Sequence, residues 1–298
     1  NPAVIVAAGD ALAARGDNKN ALSRYEEAVQ LAPNNYVPYL HAARAAVQLK
    51  DFGRAKGFVD TAGQLRPNVA EVLAMQAVVG KNSDPKQASR TMQQAIDQAP
   101  EEPQYPYELG VIFAGMGAPV EAIDAFKKAT SLDPDFVDAY YQLAKVQRDL
   151  TRTKEAEDSL NNAVKIDPKR ADCWLELADL LQQKGDDVGG LKAYEKALAA
   201  DPKNPNSVCA MGITLVERMG NDSKSNLKRG VDVLEKCVKL DPKQAHAWRV
   251  LGDAYAGMQP QKKKEAIRCY KKFIEVSGPD DIDATSVVPG LISDLGGK

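Results

Sequence analysis

Apolar residues recur along this chain with the spacing of an amphipathic helix. In the stretch 245–257 they return every three or four positions, at Trp248, Leu251, Gly252 and Tyr255. Residues with this spacing share one face of an α-helix. The stretch therefore predicts a helix with one buried face, on which we expect Trp248 to be a large core side chain.

A second helix is predicted after a short polar break. In the stretch 263–276, Ala266, Tyr270 and Phe273 repeat the helical spacing. Small residues such as Gly252 and Ala266 let two helices approach closely, and the large residues fill the space beside them. The pattern thus predicts an antiparallel pair of helices.

A proline closes each such pair, and the prolines are almost evenly spaced. The successive intervals are 34, 33, 34, 34, 34 and 40 residues, at Pro33, Pro67, Pro100, Pro134, Pro168, Pro202 and Pro242. Proline cannot donate a backbone N–H, and it pushes the preceding residue out of the helical region. A period near 34 residues predicts a repeat architecture.

The repeated unit resembles the tetratricopeptide repeat (TPR), whose W-x-x-L-G-x-x-Y…A-x-x-x-F…P pattern is visible here. Residues 248–255, WRVLGDAY, match its first half at every fixed position. Residues 174–181, WLELADLL, match with Ala for Gly and Leu for Tyr. Phe273 and Pro106 depart from the pattern, the first at a small position and the second at an aromatic one. Eight in-register copies nevertheless cover nearly the whole chain.

The resemblance implies an all-α fold, a right-handed superhelical solenoid of about eight helix-turn-helix repeats with a short C-terminal capping helix. The tandem repeats fill residues 1–278, and a cap or tail follows at 279–298. We expect the repeats at about 1–34, 35–68, 69–101, 102–135, 136–169, 170–203, 204–243 and 244–278.

Two segments depart from the period. The seventh repeat is longer than the others, and its extra polar residues at 218–230 predict a surface loop with some lengthening of the flanking helices. After the last repeat, apolar residues are expected to cover its open end: Val287, Val288, Leu291, Ile292 and Leu295. No matching cap is visible at the N-terminus, so we expect further repeats or another domain to precede it in the full-length protein.

Composition and charge narrow the function classes. The chain has 298 residues, 44% of them hydrophobic, and a net charge of −2. This balance gives no electrostatic reason to bind nucleic acid or an anionic membrane. No apolar run approaches the ~18 residues of a membrane span. We therefore expect a protein partner, with no nucleic acid and no direct membrane insertion.

The four cysteines form no C-x-x-C pair. We expect Cys173, Cys209, Cys237 and Cys269 each to be a partly buried thiol that acts as a small hydrophobe. Free thiols favour a reducing compartment, and we expect a cytoplasmic location.

No catalytic, metal or cofactor site is recognisable. The only two histidines, His41 and His246, lie about six repeats apart, and no zinc-binding or phosphate-cradling motif occurs. We expect no enzymatic activity, no metal and no cofactor.

The candidate partner-binding residues come from the resemblance. Numbering each first helix so that Trp248 is position 4, the family pattern places positions 2, 5, 9 and 12 on a concave groove. No repeat has Lys at position 5 with Asn at position 9, so a clamp for chaperone C-termini is not expected. The candidate groove residues are Leu40, Arg44, Tyr107, Val111, Tyr141, Lys145, Arg148 and Leu175.

Among these residues we favour Tyr107 and Tyr141 as anchors, because tyrosine is enriched among residues that dominate binding energy. The nearby Lys145 and Arg148 favour a partner segment that is acidic and apolar. The alternative is that both tyrosines only pack between adjacent first helices. A second candidate surface is a basic ridge at Lys264, Arg268 and Lys271, for which a solvated helix face is the alternative.

The resemblance implies a protein-interaction scaffold or adaptor that holds an extended or helical partner segment in the groove. Two alternatives stay open. The chain could self-assemble through its uncapped N-terminal repeat, or it could be the substrate-recruiting arm of a larger enzyme such as a glycosyltransferase.

Overall fold

Residues 1–219, 224–278 and 281–297 are described by a computed structural model of the chain. These residues contain no strand, and helix accounts for 79% of the chain. The predicted all-α fold is therefore confirmed. Within the described residues, no helix combines the length and the apolar character needed to cross a bilayer.

The α-helices of the described residues are numbered in chain order. Their bounds are α1 Pro2–Ala13, α2 Asn18–Leu31, α3 Tyr36–Gln48, α4 Phe52–Leu65, α5 Ala70–Gly80, α6 Pro85–Gln98, α7 Gln104–Gly115, α8 Pro119–Leu132, α9 Val137–Asp149, α10 Thr153–Ile166, α11 Ala171–Gln183, α12 Asp187–Ala200, α13 Pro205–Ile213, α14 Lys224–Leu240, α15 Ala245–Gly257, α16 Lys263–Val276 and α17 Val288–Asp294. A π-helical segment follows α13 at Thr214–Arg218, and another precedes α17 at Asp283–Val287.

The chain divides into two compact units, Asn1–Arg152 and Thr153–Lys298. Unit 1 contains α1 to α9, and unit 2 contains α10 to α17. Within each unit, helices contact in consecutive pairs such as α1 with α2 and α11 with α12. The second helix of a pair also contacts the first helix of the next pair, as α2 contacts α3. Each unit therefore builds its core from helices that are neighbours in sequence.

A large side chain of the second helix packs onto a glycine of the first helix in several pairs. In three of them the large side chain is an aromatic ring: Gly9 with Tyr25, Gly110 with Phe126 and Gly252 with Tyr270. These three rings are 3%, 0% and 1% exposed. A Cβ atom added to the glycines would lie 2.4, 2.6 and 2.5 Å from a ring carbon, respectively. Because no side chain fits at such distances, glycine sets how closely the two helices approach.

Side-chain hydrogen bonds close the turns between repeats. An aromatic residue of a first helix donates to the carbonyl oxygen of the preceding turn proline: Trp174 Nε1 to Pro168 at 2.9 Å, Trp248 Nε1 to Pro242 at 2.9 Å and Tyr39 Oη to Pro33 at 3.1 Å. The aspartate before the proline accepts from the backbone N–H two residues later, as Asp167 does from Lys169 at 2.9 Å. Trp248 packs against the core of unit 2 and against such a turn, but it is half-buried, so the expected core tryptophan is only partly enclosed.

The C-terminal segment covers the last repeat. Val288 and Ile292 are buried in the core of unit 2, and Leu291 and Leu295 pack against the same core. The predicted cap is confirmed for these four residues. It is wrong for Val287, whose side chain is 43% exposed, because this residue ends the π-helical segment on its outer side.

The long seventh repeat extends its second helix. Helix α14 spans 17 residues, against 14 in α12. The part of the predicted loop that begins at Lys224 is therefore helical. The centre of the predicted loop, residues 220–223, lies outside the described residues.

Two of the four cysteines are bonded to each other. Cys209 of α13 and Cys237 of α14 form a disulfide, with both residues buried in the core of unit 2. The expectation of free thiols is wrong for this pair, because Cys209, at position 5 of its first helix, faces Cys237 of the second helix across the core, with the two Cα atoms 4.9 Å apart. It holds for Cys173 and Cys269, which are buried thiols. Burial raises the pKa of the Cys269 thiol to about 11.

The packing of Gly252 can be tested with a second glycine of the same helix. Gly252→Val should lower the free energy of unfolding by about 2–3 kcal/mol, because its side chain would overlap the Tyr270 ring. Gly257→Val should change it by no more than about 0.5 kcal/mol, since nothing lies within 4 Å of a Cβ at Gly257. Urea unfolding followed by circular dichroism measures both, and equal losses would contradict the packing.

The disulfide can be tested by counting thiols and by stability. Alkylation of the unfolded, unreduced chain should modify two of the four cysteines. Cys209→Ala with Cys237→Ala should lower the free energy of unfolding by about 2–4 kcal/mol, because the bond closes a long loop in the unfolded chain. A reductant should destabilise the wild-type chain by a similar amount and leave the double variant unchanged. Four reactive thiols would show that the bond does not form.

Candidate functional site

Two adjoining hollows lie on the surface of unit 1 that is lined by α1, α3, α5 and α7, here called the first-helix face of unit 1. Hollow A measures about 530 Å³ and is lined mainly by α1, α2 and α3. Hollow B measures about 590 Å³ and is lined by α3, α5, α7 and the turn before α7. Arg44 and Gln48 line both hollows, so the two are adjacent on this face.

In hollow A, Asp10 is held by two neighbours. Its Oδ1 accepts a hydrogen bond from Tyr25 Oη at 2.7 Å and lies 2.8 Å from His41 Nδ1. Burial and the hydrogen bond to Asp10 raise the pKa of Tyr25, so its phenol stays protonated and donates. The Asp10 carboxylate is therefore already hydrogen-bonded within the fold. Arg44, which also lines this hollow, pairs with no carboxylate among the described residues.

The tyrosine–aspartate pair of hollow A recurs in unit 2. Tyr194 Oη donates to Asp179 at 2.5 Å, and Tyr270 Oη donates to Asp253 at 2.7 Å. In each case the tyrosine is the large residue of the second helix, and the aspartate is at position 9 of the first helix. Sequence reasoning missed these pairs, although a Tyr that follows an Asp by 15 to 17 residues was a usable signal.

Hollow B is lined by the third-repeat residues at the four helix positions that the family pattern places on the groove. Positions 2, 5, 9 and 12 of that repeat are Glu71, Ala74, Val78 and Lys81, and all four line the hollow. Sequence reasoning also missed its most buried polar side chain. Tyr105 is 9% exposed. Its hydroxyl group has no hydrogen-bond partner in the part of the chain that the structure describes.

The charged groups of hollow B shift the pKa of the Tyr105 hydroxyl. Burial, with the negative charges of Glu71 and Glu102, raises the pKa of Tyr105 to about 12. At the far wall, Glu108 Oε1 accepts from Gln104 Nε2 at 3.1 Å. The other Glu108 oxygen lies 3.5 Å from Lys81 Nζ and is buried without a hydrogen bond.

The sequence-predicted residues of the second and fourth repeats differ in their surroundings. Arg44 is exposed and lines both hollows, whereas Leu40 is buried in the core of unit 1. Tyr107 and Val111 pack on a core cluster. The Tyr107 ring lies 4.9 Å from the Phe136 ring and 5.9 Å from the Phe126 ring, centroid to centroid. These contacts favour the packing alternative for Tyr107.

The remaining predicted residues are more accessible. Tyr141 is half-buried, and Lys145 Nζ lies 5.5 Å from the centre of its ring. Arg148 Nη2 lies 3.4 Å from Asp149 Oδ1. Leu175 is half-buried in unit 2.

The predicted basic ridge lies on α16. Its members are Lys264, Arg268 and Lys271, and all three are exposed. No ion pair joins them to a carboxylate among the described residues.

Sequence models of the tetratricopeptide repeat match the repeats described above. They cover residues 12–79, 121–150, and 79–135 with 141–205. The chain belongs to the tetratricopeptide repeat family. No curated protein matches it in sequence.

Solved TPR structures share the fold at low sequence identity. YrrB, described as a TPR protein with an unusual peptide-binding site, is 20% identical, with a TM-score of 0.56 over 67% of this chain and 98% of its own. PilF of Pseudomonas aeruginosa is 18% identical, with a TM-score of 0.59 over 70% of this chain and 92% of its own. Yeast Tom70 is 19% identical, with a TM-score of 0.55 over 94% of this chain and 59% of its own.

The role of Tyr107 in this TPR protein can be tested by stability. Tyr107→Ala should lower the free energy of unfolding by about 2 kcal/mol, because its ring packs against Phe126 and Phe136. Arg44→Ala should change it by less than about 0.5 kcal/mol, since Arg44 is exposed and unpaired among the described residues. Thermal unfolding measures both changes. An unaltered melting temperature for Tyr107→Ala would contradict the packing role and favour Tyr107 as a partner-binding residue.

Proposed function

We propose that this TPR protein is a non-enzymatic scaffold that binds an extended or helical segment of another protein along the first-helix face of unit 1. The observation that carries the proposal is the pair of adjacent hollows A and B, which together are lined by successive first helices. Hollow B joins an apolar floor, including Ala74 and Val78, to charged walls. Such a mixture favours a protein segment over a purely apolar ligand.

The comparison with YrrB supports this proposal, because that TPR protein is described as having a peptide-binding site. Within hollows A and B, Arg44 is the exposed cation that a partner carboxylate could pair with. Beyond it, Tyr141, Lys145 and Arg148 extend the same preference along α9, consistent with the acidic and apolar partner segment expected from the sequence. Tyr107 and Val111 support this surface from beneath.

The two alternatives have weaker support. Self-association through the first repeat rests on α1, where Val4 is 65% exposed, but a single exposed valine is common on protein surfaces. The role as a recruiting arm of a larger enzyme depends on sequence beyond this chain. The cytoplasmic location stays a prediction. The Cys209–Cys237 disulfide argues against it, because such bonds persist mainly in oxidising compartments.

Charge reversal at Arg44 tests the binding face. Peptides of 12 residues displayed on phage would be selected on the wild-type chain, and the best binder synthesised. Arg44→Glu should weaken its binding by at least about tenfold, because a favourable ion pair becomes a repulsion. Arg90→Glu is the matched control, since Arg90 is exposed on the second helix α6 and should leave affinity unchanged. Equal affinity in both variants, or no selected binder, would contradict the proposed function.

A further inference from the structure

We infer that hollow B accepts a cationic side chain, an arginine or a lysine, from the bound partner segment. The inference rests on the proposed function and adds the chemistry of one partner residue. It is carried by a tyrosine hydroxyl that has no partner among the described residues, an excess of carboxylates and an apolar wall in the same hollow.

The unpaired phenol is the first observation. Tyr105 is 91% buried, the complement of its 9% exposure. Its ring is buried, but its oxygen is not among the fully buried unpaired atoms and makes no hydrogen bond with the described residues, so it is exposed to the hollow. Tyr105 lines hollow B, so its oxygen is free to accept a hydrogen bond from a group placed there.

The balance of charge is the second observation. Three carboxylates line the hollow, Glu71, Glu102 and Glu108, against the two cations Arg44 and Lys81. Lys81 pairs with Glu108 at 3.5 Å. Glu71 and Glu102 make no ion pair with the described residues, and their charges act on Tyr105. Arg44 acts on Tyr105 in the opposite sense, so a cation beside Tyr105 would meet two carboxylates against one nearby arginine.

The shape and the acceptors select an organic cation. In the described residues, no three acidic, histidine or cysteine side chains lie close enough together to hold a metal ion. Ala74 and Val78 line the same hollow, and such apolar surface suits the methylene stem of lysine or arginine. The acceptors of the hollow are the Tyr105 oxygen and the carboxylates of Glu71 and Glu102, of which Glu102 already accepts from the Gln104 backbone N–H at 3.4 Å. They match the multiple N–H donors of an ammonium or a guanidinium group.

The test uses the same phage-displayed 12-residue peptides on the full chain. Selected peptides should carry Arg or Lys at one fixed position beside an apolar residue. Replacing that residue by its neutral counterpart, citrulline for arginine or acetyl-lysine for lysine, should weaken binding by about fivefold to tenfold. Glu71→Gln with Glu102→Gln should weaken the parent peptide similarly. Glu121→Gln with Asp124→Asn, which removes two exposed charges from α8, should not.

A double-mutant cycle decides whether these groups meet. The neutral peptide should lose nothing further in the Glu71→Gln and Glu102→Gln variant, because the interaction is already absent. Tyr105→Phe should also weaken only the cationic peptide, while circular dichroism confirms that the variant is folded. Additive losses, or selected peptides without a fixed cation, would overturn the inference.

The inference and the proposed function can fail separately. If Arg44→Glu still abolished binding of peptides without a fixed cation, the proposed function would stand and the inference would fail. If neither Arg44→Glu nor the hollow B variants weakened binding, the inference and the proposed function would both fail.

Discussion

The contact between a small residue of one helix and a large residue of its partner sets the geometry on which the rest of each unit depends. Where the small residue is glycine, as in Gly9, Gly110 and Gly252, the ring of the second helix sits where a Cβ would be. The two helices are thereby held at one separation. Because the contact recurs every repeat, successive first helices of unit 1 present the same face, and hollows A and B form on it.

The same contact explains which polar residues are available to a partner. When the large residue is tyrosine, its hydroxyl reaches the aspartate at position 9, as Tyr25 reaches Asp10. That carboxylate then serves the fold. In the second repeat the large residue is Val59, which has no hydroxyl, and position 9 is Arg44. This arginine is left free of the core, so an irregularity in the packing pattern produces the candidate binding residue.

The fold could be predicted from the sequence because it depends on a local residue pattern that recurs many times along the chain. Helix pairs, turn prolines and the capping residue Val288 all follow from spacing and apolar character. The failures have physical causes. Trp248 packs against the core but stays half-buried, because its indole nitrogen donates to the Pro242 carbonyl in the turn, and periodicity does not reveal that second role. The disulfide depended on the mutual placement of two cysteines 28 residues apart.

The candidate site was predictable only in part. The spacing of positions 2, 5, 9 and 12 placed Glu71, Ala74, Val78 and Lys81 together, because residues with that spacing share one face of a helix. It could not identify Tyr105, at position 3, because that side chain enters hollow B from the next repeat. It also assigned Tyr107 to the groove, although the Phe136 ring at the start of α9 draws it into packing. Contacts between repeats decide these cases, and a single-repeat pattern does not contain them.

The central claim is that the first-helix face of unit 1 is the binding surface. Hydrogen–deuterium exchange of the full chain, with and without a selected 12-residue peptide, tests it most directly, since exchange reports on each helix separately. The account predicts that the peptide slows exchange in α3, α5 and α7 while leaving α4 and α6 unchanged. Protection confined to α4 and α6, or to unit 2, would contradict it.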